Sequence, residues 1–596
     1  MSDKNKALFS EFPSVSTEQW MERVTADLKG ADFDKKLVWK NLTGINIQPC
    51  YNSENKITQL KNTGENSQAL VNYRNIKVTN TENGNKLAIK AVEEGMNGII
   101  FTLDENVDAA ELLNGIDLNS TSVSFKITTN ATTFTKNLVS YAKDSNLKGY
   151  IDTGIISNYV TTGSFDESQI EVAAELVKLT ANFPNFKAIT ISGTEYLDSG
   201  ANQVQEIAYT LNSLVFLIEK LSEKSVETQA IFNNLNFKLA IGLEYFVEIG
   251  KFRAFNSLLA EVAAKYGVAE CANTITAKTS IWSKSVTDAE TNLLRCTTEA
   301  MSAILGNVDG VLIDAYDKEF KNPSDFSSRI AGNITTILRE ESYFGKVSNP
   351  VDGSYYIEEV STKIAEKALE LFQAIEAAGG FFTAFENETI QAQIAEIRLK
   401  KLKLISQRRT PMVGINKYPN LMETVAADLL SSGAADNSKV LTPRRASLEI
   451  EAMRRTTEEL VAETKVRPIV QLASYGNLNM RKARAAFAYD FIGVSGFDVH
   501  QEESFESAAV AAKESANSDA HVVVICSSDQ DYDETAVDFV KAFRAINTNK
   551  VLLLAGAPKN MDELTEAGLD GVVNMRTDVL VTLSAIQKKV QKTLKS

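Results

Sequence analysis

Residues 467–480 read Arg-Pro-Ile-Val-Gln-Leu-Ala-Ser-Tyr-Gly-Asn-Leu-Asn-Met, an apolar run that ends in a small polar turn before a helical segment. The run predicts a buried strand over Pro468–Ala473 and a helix over Met480–Val494. The same alternation continues to the end of the chain and predicts four more strands, at Phe497–His500, His521–Ser527, Val551–Ala555 and Gly571–Asn574. Five strands separated by helices favour a flavodoxin-like, doubly wound parallel sheet, in which ligands lie beyond the carboxyl ends of the strands.

A second alternating pattern occupies residues 68 to 340, where amphipathic helical segments such as Gln203–Leu221 and Phe246–Tyr266 separate short apolar runs. The predicted strands are Ala69–Tyr73, Gly98–Leu103, Ser122–Thr128, Gly149–Thr153, Lys187–Gly193, Phe237–Leu243, Ile275–Ile281 and Gly310–Tyr316. Strands in this number, each followed by a helix, indicate a (β/α)8 TIM barrel. In such a barrel, the chemistry lies at the carboxyl ends of the strands.

Two further segments complete the chain. The lead-in predicts a helix that starts at the cap Ser16, because Gln19 follows three residues later. The segment before the last domain predicts helices and a linker, marked by the small polar stretch Ser431–Asp436. We therefore expect an amino-terminal arm at 1–64, a barrel at 65–345, a helical region with a linker at 346–464 and a flavodoxin-like domain at 465–596.

The composition excludes several classes of function. Lys and Arg total 62 against 77 Asp and Glu, a net charge of −15 with no basic tract, which disfavours nucleic acid and anionic membranes as partners. The four cysteines lie far apart and form no CxxC pair, so we predict neither a disulfide framework nor a zinc site. No apolar run approaches the roughly 18 residues of a membrane span. The start, Met1–Lys6, is not followed by an apolar signal segment, so we predict a cytoplasmic protein.

The chain has only two histidines, His500 and His521, and none precedes residue 500. The predicted barrel therefore has no imidazole to act as an acid, a base or a metal ligand. Both histidines are predicted at ends of strands in the last domain, the second and the third, and we interpret them as packing or edge residues. The scaffold of an α/β enzyme is thus predicted without its commonest catalytic side chain.

Acidic residues cluster after the third strand of the last domain, at Asp529, Asp531, Asp533 and Glu534. Their alternation suggests a metal-binding loop, but the glycine and the terminal glutamate of an EF-hand are missing. We interpret them as charges at the amino terminus of a helix, where the helix dipole favours them. No metal site is predicted.

Short pieces along nearly the whole chain resemble, in order and spacing, the methylmalonyl-CoA mutases, which are adenosylcobalamin-dependent isomerases. These pieces are Leu28–Gly30, Leu37–Trp39, Pro49–Tyr51, Ile189–Gly193 with Ala201–Thr210, Phe326–Ile330, Asp352–Tyr356 and Gly414–Asn416. The resemblance implies the fold predicted above, with a last domain of the cobalamin-binding type.

The cobalamin motif of the catalytic chains has no counterpart here. Those chains carry Asp-x-His-x-x-Gly after the first strand of the last domain, where the imidazole ligates cobalt and the carboxylate orients it. With Gly476 as the anchor, the resemblance places Leu478 at the aspartate, Met480 at the histidine and Ala483 at the glycine. The resemblance therefore implies that this chain binds no cobalamin.

The barrel departs from the catalytic pattern in the same way. Catalytic chains follow Ile-Ser-Gly with Tyr-His, which contact the substrate, whereas this chain has Thr194 and Glu195. The resemblance also places Thr276 at a second imidazole position, Lys278 at a neighbouring amide position and Arg74 at a tyrosine near the end of the first strand. Radical isomerisation needs donors on the thioester oxygen and a dry cavity, which a charged Glu195 and Lys278 do not suit. We expect Glu195 and Lys278 to pair with each other and close the barrel mouth.

Some organisms build this enzyme from two unlike chains, and the resemblance is to the shorter one, which lacks the cobalamin motif. It implies a heterodimer with a homologous catalytic large chain that binds adenosylcobalamin, holds acyl-CoA in its own barrel and interconverts methylmalonyl-CoA and succinyl-CoA. Two other interpretations stay open. The chain could be an independent barrel enzyme with Glu195 and Lys278 as its acid–base pair, or a protein that holds acyl-CoA without reaction.

Overall fold

A computed structural model of the chain describes residues 12, 14–55, 57–64, 70–104, 106–431 and 437–595. Ala69, at the predicted start of the first barrel strand, and most of the predicted linker Ser431–Asp436 lie outside these residues. The elements of the amino-terminal arm are α1 (Thr17–Asp27), α2 (Phe33–Lys36), β1 (Trp39–Lys40) and β2 (Asn46–Ile47), of which the two strands pair antiparallel. Ser16 caps α1 and Gln19 completes the capping box, which confirms the predicted helix start.

Parallel strands form the body of the chain, and the helices that follow them cover the outside. The strands are β3 (Val71–Val78), β4 (Gly98–Leu103), β5 (Ser122–Ile127), β6 (Gly149–Asp152), β7 (Phe186–Lys187), β8 (Ile189–Ser192), β9 (Leu235–Ile241), β10 (Thr274–Thr279) and β11 (Gly310–Leu312). The helices are α3 (Thr81–Glu93), α4 (Ala109–Leu112), α5 (Ala131–Tyr141), α6 (Ile155–Thr162), α7 (Ser168–Leu179), α8 (Thr194–Asp198), α9 (Gln203–Glu223), α10 (Thr228–Asn233), α11 (Tyr245–Lys265) and α12 (Thr291–Leu305).

The sheet closes because β7 and β8 are two halves of one strand, interrupted at Ala188. The first half pairs with β6 and the second half pairs with β9. Counted as one strand, they give the eight-stranded barrel that the sequence predicts. The first strand was predicted too short: β3 continues past Tyr73 to Val78, where the exposed Asn75 and Lys77 alternate with the buried Ile76 and Val78.

Helices also form the region between the barrel and the last domain. They are α13 (Asp325–Glu340), α14 (Tyr355–Ala377), α15 (Gly380–Glu386), α16 (Thr389–Ser406) and α17 (Leu448–Thr464), with short 3-10 turns at Phe344–Lys346 and Ala427–Leu429. Arg253 of α11 is fully buried and donates to Glu358 of α14 at 2.7 Å, which ties this region to the barrel wall. None of the helices in the described part of the chain is long and apolar enough to cross a membrane.

The last domain is a separate parallel sheet. Its elements are β12 (Ile469–Ser474), α18 (Leu478–Gly493), β13 (Asp498–Val499), β14 (Glu503–Ser504), α19 (Ala508–Asn517), β15 (Val522–Cys526), α20 (Asp529–Ile546), β16 (Val551–Ala555), α21 (Met561–Ala567), β17 (Gly571–Val573) and α22 (Val579–Lys595). The order β13-β12-β15-β16-β17 is the 2-1-3-4-5 order of a flavodoxin-like sheet, as predicted. The pairing of β14 with β12 was not predicted. The boundaries at 64, 345 and 464 stay predictions.

Candidate functional site

The predicted pairing of Glu195 with Lys278 at the barrel mouth is wrong. Lys278, on β10, lies 3.6 Å from the carboxylate of Asp314, which follows β11, and Lys318 donates to the other oxygen of Asp314 at 2.7 Å. Side chains at alternate positions of a strand share one face, so the inward Leu312 puts Asp314 on the inner face beside Lys278. That alternation was the signal in the sequence for this pair.

Lys278 is held in its charged form. Burial opposes the charge, but Asp314, Asp198 and Glu195 together raise the pKa of Lys278 above its usual value. A protonated lysine bound to a carboxylate cannot accept a proton near neutral pH. The arrangement therefore does not support a general base at this position.

Glu195 lies in the first turn of α8, directly after β8, where the sequence places it. Its Oε2 atom is buried and has no hydrogen-bond partner among the described residues. The charge of Glu195 acts on Lys278 from a distance, so the two share the barrel mouth without forming an ion pair. The structure therefore brings the predicted residues into one region but gives Lys278 a different partner.

Thr194 and Thr276, which the resemblance places at positions that are catalytic in other chains, are tied into the barrel wall. The hydroxyl of Thr194 lies 2.8 Å from that of Ser192, and Thr194 is buried. Thr276 donates to the side-chain oxygen of Asn236 on the next strand at 3.1 Å and is also buried. Both hydroxyls are therefore satisfied by neighbouring side chains.

Two tyrosines fill the barrel interior below these residues. Tyr73 and Tyr150 form a small apolar cluster with Ile100 and Leu312, and the Tyr73 hydroxyl lies 3.0 Å from that of Ser122. The ring of Tyr73 lies between the neighbouring strands, where a Cβ atom at Gly98 or Gly310 would come within 2.6 Å of it. Sequence reasoning missed this cluster, although glycines that oppose a large ring on both neighbouring strands are a signal for it.

Arg74, which the resemblance places at a tyrosine position near the end of the first strand, faces away from the barrel interior. It lies in the middle of β3 rather than near its end, and its guanidinium pairs with Glu94 at the end of α3 and donates to the Ser328 carbonyl at 3.2 Å. Since Tyr73 points inward, the next residue of the strand must point outward. Arg74 therefore links the barrel to its helices.

In the last domain, the turn after β12 is filled by a side chain of the chain itself. Gly476 has a φ of +72°, and a Cβ atom there would collide with the carboxylate of Asp531. Asp531 accepts hydrogen bonds from the Asn477 amide at 3.2 Å and from the hydroxyls of Ser527 and Ser528 at 2.7 and 2.6 Å. Because of these hydrogen bonds, the pKa of Asp531 is lowered although burial opposes the shift.

Asp529 and Asp531 lie in the first turn of α20, which Ser528 caps, so the interpretation as helix-terminal charges is confirmed for these two, while Asp533 and Glu534 lie in the second turn. The role of Asp531 in filling the turn was not predicted. The only sequence signal for it is the capping pattern Ser528-x-x-Asp531.

The residues at the cobalamin-motif positions do not fit a cobalamin. Leu478, Met480 and Ala483 lie in the first two turns of α18, and Leu478 and Met480 are partly exposed apolar side chains. None of the three offers an imidazole or a carboxylate, and the Asp531 carboxylate occupies the neighbouring turn. The side chains at these positions therefore cannot supply a ligand to the cobalt of a cobalamin, and Asp531 already fills the turn beside them.

The histidines lie where the sequence predicts them. His500 follows β13, is exposed and lies 3.5 Å from Asp498. His521 precedes β15, where its Nδ1 accepts a hydrogen bond from the Ile469 amide at 3.1 Å, and burial lowers its pKa. His521 thus lies at the amino-terminal ends of the strands, and the Asp531 turn lies at their carboxyl ends.

Comparison with known proteins agrees with this geometry. A family profile described as methylmalonyl-CoA mutase matches residues 84–490. The chain is 32% identical to the methylmalonyl-CoA mutase small subunit of Porphyromonas gingivalis, with 99% of each chain covered. It is 28% identical to the protein of the same name from Streptomyces virginiae, with 96% of this chain and 97% of that one covered.

The similarity to a relative whose name designates no subunit is shorter. The methylmalonyl-CoA mutase of Escherichia coli is 31% identical, but the match covers 51% of this chain and 43% of that protein. The two matches named above that cover nearly the whole chain are to small subunits, while the family profile runs from α3 of the barrel to α18 of the last domain. This chain belongs to the methylmalonyl-CoA mutase family.

Proposed function

We propose that this chain is the small, non-catalytic subunit of a heterodimeric methylmalonyl-CoA mutase. Its homologous large subunit carries adenosylcobalamin, holds the acyl-CoA substrate in its own barrel and interconverts methylmalonyl-CoA and succinyl-CoA. The observation that carries the proposal is the turn after β12, where Asp531 fills the space beside Gly476 and Met480 stands at the position of the cobalt ligand. The full-length similarity to small subunits supports the same assignment.

The barrel supports this proposal independently. Tyr73 and Tyr150 fill its interior, and Lys278 is neutralised by Asp314 instead of facing a substrate. An interior that is packed with side chains stabilises a barrel but leaves no path for a ligand along its axis. These contacts disfavour both alternatives, an acid–base enzyme that uses Glu195 and Lys278 and a protein that stores acyl-CoA in this barrel.

Reconstitution with the large subunit tests the proposal. The purified complex should contain about one cobalamin per heterodimer, measured from its visible spectrum. Glu195→Gln and Lys278→Met in this chain should leave turnover per intact heterodimer within about twofold, because loss of a working acid or base costs about 10²- to 10⁴-fold.

A matched control replaces the cobalt-ligating histidine of the large subunit, which should abolish turnover. If Glu195→Gln or Lys278→Met lowered turnover about a hundredfold at unchanged thermal stability, this barrel would be a working active site and the proposal would fail.

The amino-terminal arm is the proposed contact with the large subunit. Helix α1 buries none of its residues fully, and Trp20 meets Phe33 of the arm edge to face, with ring centroids 6.3 Å apart. The helix is fixed at its start, where the Thr17 amide donates to Glu54 at 2.9 Å. Trp20, Met21 and Val24 of this helix stay half-exposed, and such an apolar face is available to a partner.

We also place the heterodimer in the cytoplasm. The four cysteines are all free thiols, and Cys296 and Cys526 are buried. Burial raises the pKa of Cys296 to about 12, which keeps that thiol protonated and inert. Unpaired cysteines suit a reducing compartment. Fractionation of the source cells, with the mutase activity as the marker, tests the location.

A further inference from the structure

Four large apolar side chains from three separate parts of the chain are each between 43% and 50% exposed. They are Trp39, Leu243, Phe246 and Tyr355. Trp39 belongs to the arm, Leu243 and Phe246 lie where β9 leads into α11, and Tyr355 is the first residue of α14. Single exposed apolar residues are ordinary on a protein surface, whereas a connected group of them marks an interaction site.

Side-chain contacts join these residues into one surface. The ring of Phe246 meets that of Tyr356 on α14 with centroids 5.3 Å apart, and Tyr356 meets Tyr51 of the arm at 6.0 Å. At the other end, Leu243 and Trp39 line the same cavity. We call this surface the rim strip; its members are Trp39, Tyr51, Leu243, Phe246, Tyr355 and Tyr356.

Tertiary contacts hold the rim strip in place. Lys363 of α14 donates to the Asn46 carbonyl at 2.7 Å, and its ammonium lies 5.9 Å from the ring centroid of Tyr51. The Tyr245 amide donates to the Leu243 carbonyl at 2.9 Å in the turn that starts α11. A surface that is already formed loses little conformational entropy when a partner binds to it.

The rim strip continues into helix α1. Tyr51 is followed by Asn52, whose side chain donates at 2.9 Å to the hydroxyl of Thr17, the first residue of α1. The apolar side chains of α1 are themselves half-exposed. The two surfaces therefore meet at the contact between Asn52 and Thr17.

Helix α1 by itself is too small to hold a stable complex. It has 11 residues, whereas a stable interface takes about 20–30 residues and about 800 Å² from each partner. The exposed parts of Trp39, Leu243, Phe246 and Tyr355 add roughly 350 Å² of apolar area, at about 200 Å² for a whole large side chain. Aromatic residues of this kind are enriched in the buried centres of interfaces.

We propose that the rim strip is the second part of the contact with the large subunit, which covers α1 and the strip together. This inference rests on the proposed function, because the large subunit is the partner named in it. The occupant follows from continuity, since the strip adjoins the helix that contacts the same partner. Phe246 and Trp39 are the anchors of the contact, because large aromatic side chains contribute most of the binding free energy of interfaces.

Titration calorimetry of the full chain against the large subunit measures the contribution of the rim strip. Phe246→Glu should weaken the complex about thirtyfold or more, because the change places a charge in an apolar contact. Leu243→Glu should weaken it about tenfold or more for the same reason. Phe246→Leu keeps an apolar side chain and should recover most of the affinity. Both sites are exposed in the free chain, so the melting temperatures of these variants should change little.

Val581→Glu is the matched control. Val581 is an exposed apolar residue of α22 in the last domain and lies outside the rim strip. The affinity of this variant for the large subunit should stay within about twofold of that of the unchanged chain. Equal losses in Val581→Glu and Phe246→Glu, or unchanged affinity in folded Phe246→Glu and Leu243→Glu, overturn the proposal.

Hydroxyl-radical footprinting tests the rim strip without any substitution. Trp39, Phe246 and Tyr355 should be oxidised in the free chain and protected in the complex, and a complex that leaves all three unprotected overturns the proposal. Sedimentation of this chain alone should show a monomer. A dimer of the chain alone that Phe246→Glu disrupts would assign the strip to a second copy and would also overturn it.

The wild-type pair separates this inference from the proposed function. If the two unchanged chains do not associate, the proposed function fails and this inference fails with it. If they associate and turn over substrate while Phe246→Glu and Leu243→Glu bind as tightly as the unchanged chain, the proposed function stands and only the assignment of the rim strip is overturned.

Discussion

The ring of Tyr73 meets the ring of Tyr150 edge to face inside the barrel, with centroids 5.8 Å apart and planes inclined at 68°. Below the charged mouth, this contact and the cluster around it replace an open axis with packed side chains. Side chains packed in this way inside a barrel stabilise it.

The packing of Tyr73 predicts a large effect of adding one methyl group beside it. Gly310→Ala should destabilise the fold by about 1–3 kcal/mol, because the new Cβ would lie 2.6 Å from the Tyr73 ring. Chemical denaturation of the single variant and of the double variant with Tyr73→Leu measures this. The double variant should lose less than the sum of the two single losses.

Gly571→Ala is the control for that measurement. Gly571 also lies in a strand, but its nearest neighbour would be an ordinary 3.8 Å from the new Cβ. Its stability should change by about 0.5 kcal/mol or less. Equal losses at Gly310 and Gly571 would show that the Tyr73 ring is not the constraint.

Asp314 predicts a pH dependence of stability in acid. Burial opposes its charge, but Lys318 and Lys278 outweigh burial and lower its pKa to about 2. Because this pKa is below that of the unfolded chain, the stabilisation is complete above about pH 4 and is lost as the pH falls toward about 2, by roughly 2 kcal/mol.

Asp314→Asn tests this dependence by urea unfolding across that range. The variant should lack this part of the acid slope and be less stable near neutral pH, because Lys278 is then left buried without its carboxylate. Lys318→Met, which removes the more exposed of the two cations, should cost less. An unchanged slope in Asp314→Asn would assign the acid sensitivity to other carboxylates.

The filled turn of the last domain predicts that restoring the motif will not restore cofactor binding. The triple variant Leu478→Asp, Met480→His and Ala483→Gly should give no histidine-ligated cobalamin spectrum in a visible titration. The reason is that the Asp531 carboxylate still occupies the turn beside Gly476. Adding Asp531→Ala should be required for any binding. A histidine-ligated spectrum from Met480→His alone would contradict the role given to Asp531.

We expect that removal of residues 1–30 lowers the affinity for the large subunit but leaves this chain folded. No residue of α1 is buried, so the melting temperature should change little, while affinity for the large subunit should fall about tenfold or more. Titration calorimetry with the large subunit measures the affinity. Trp20→Ala is the point variant for the same surface. An unchanged affinity after the deletion would remove the arm from the interface.

The sequence alone was enough to predict the barrel, the flavodoxin-like sheet and the absence of an imidazole from the barrel. Apolar runs of strand length alternating with amphipathic segments predicted the barrel and the flavodoxin-like sheet, because burial on both faces of a parallel strand leaves a continuous signal in the chain. The absence of histidine before residue 500 is a property of composition, and the resemblance to the family places Met480 at the ligand position, so neither needed coordinates.

Only the tertiary structure decided which charges meet. Glu195 and Lys278 were expected to pair because both were predicted at the barrel mouth. Lys278 instead meets Asp314, which follows the neighbouring strand β11, whereas Glu195 follows β8, two strands away from β10. The same holds for Asp531, which reaches the turn of Gly476 across the sheet, and for Tyr73 between two glycines. Strand register and closure of the barrel set such contacts, and these depend on the packing of segments far apart in the chain rather than on any local pattern.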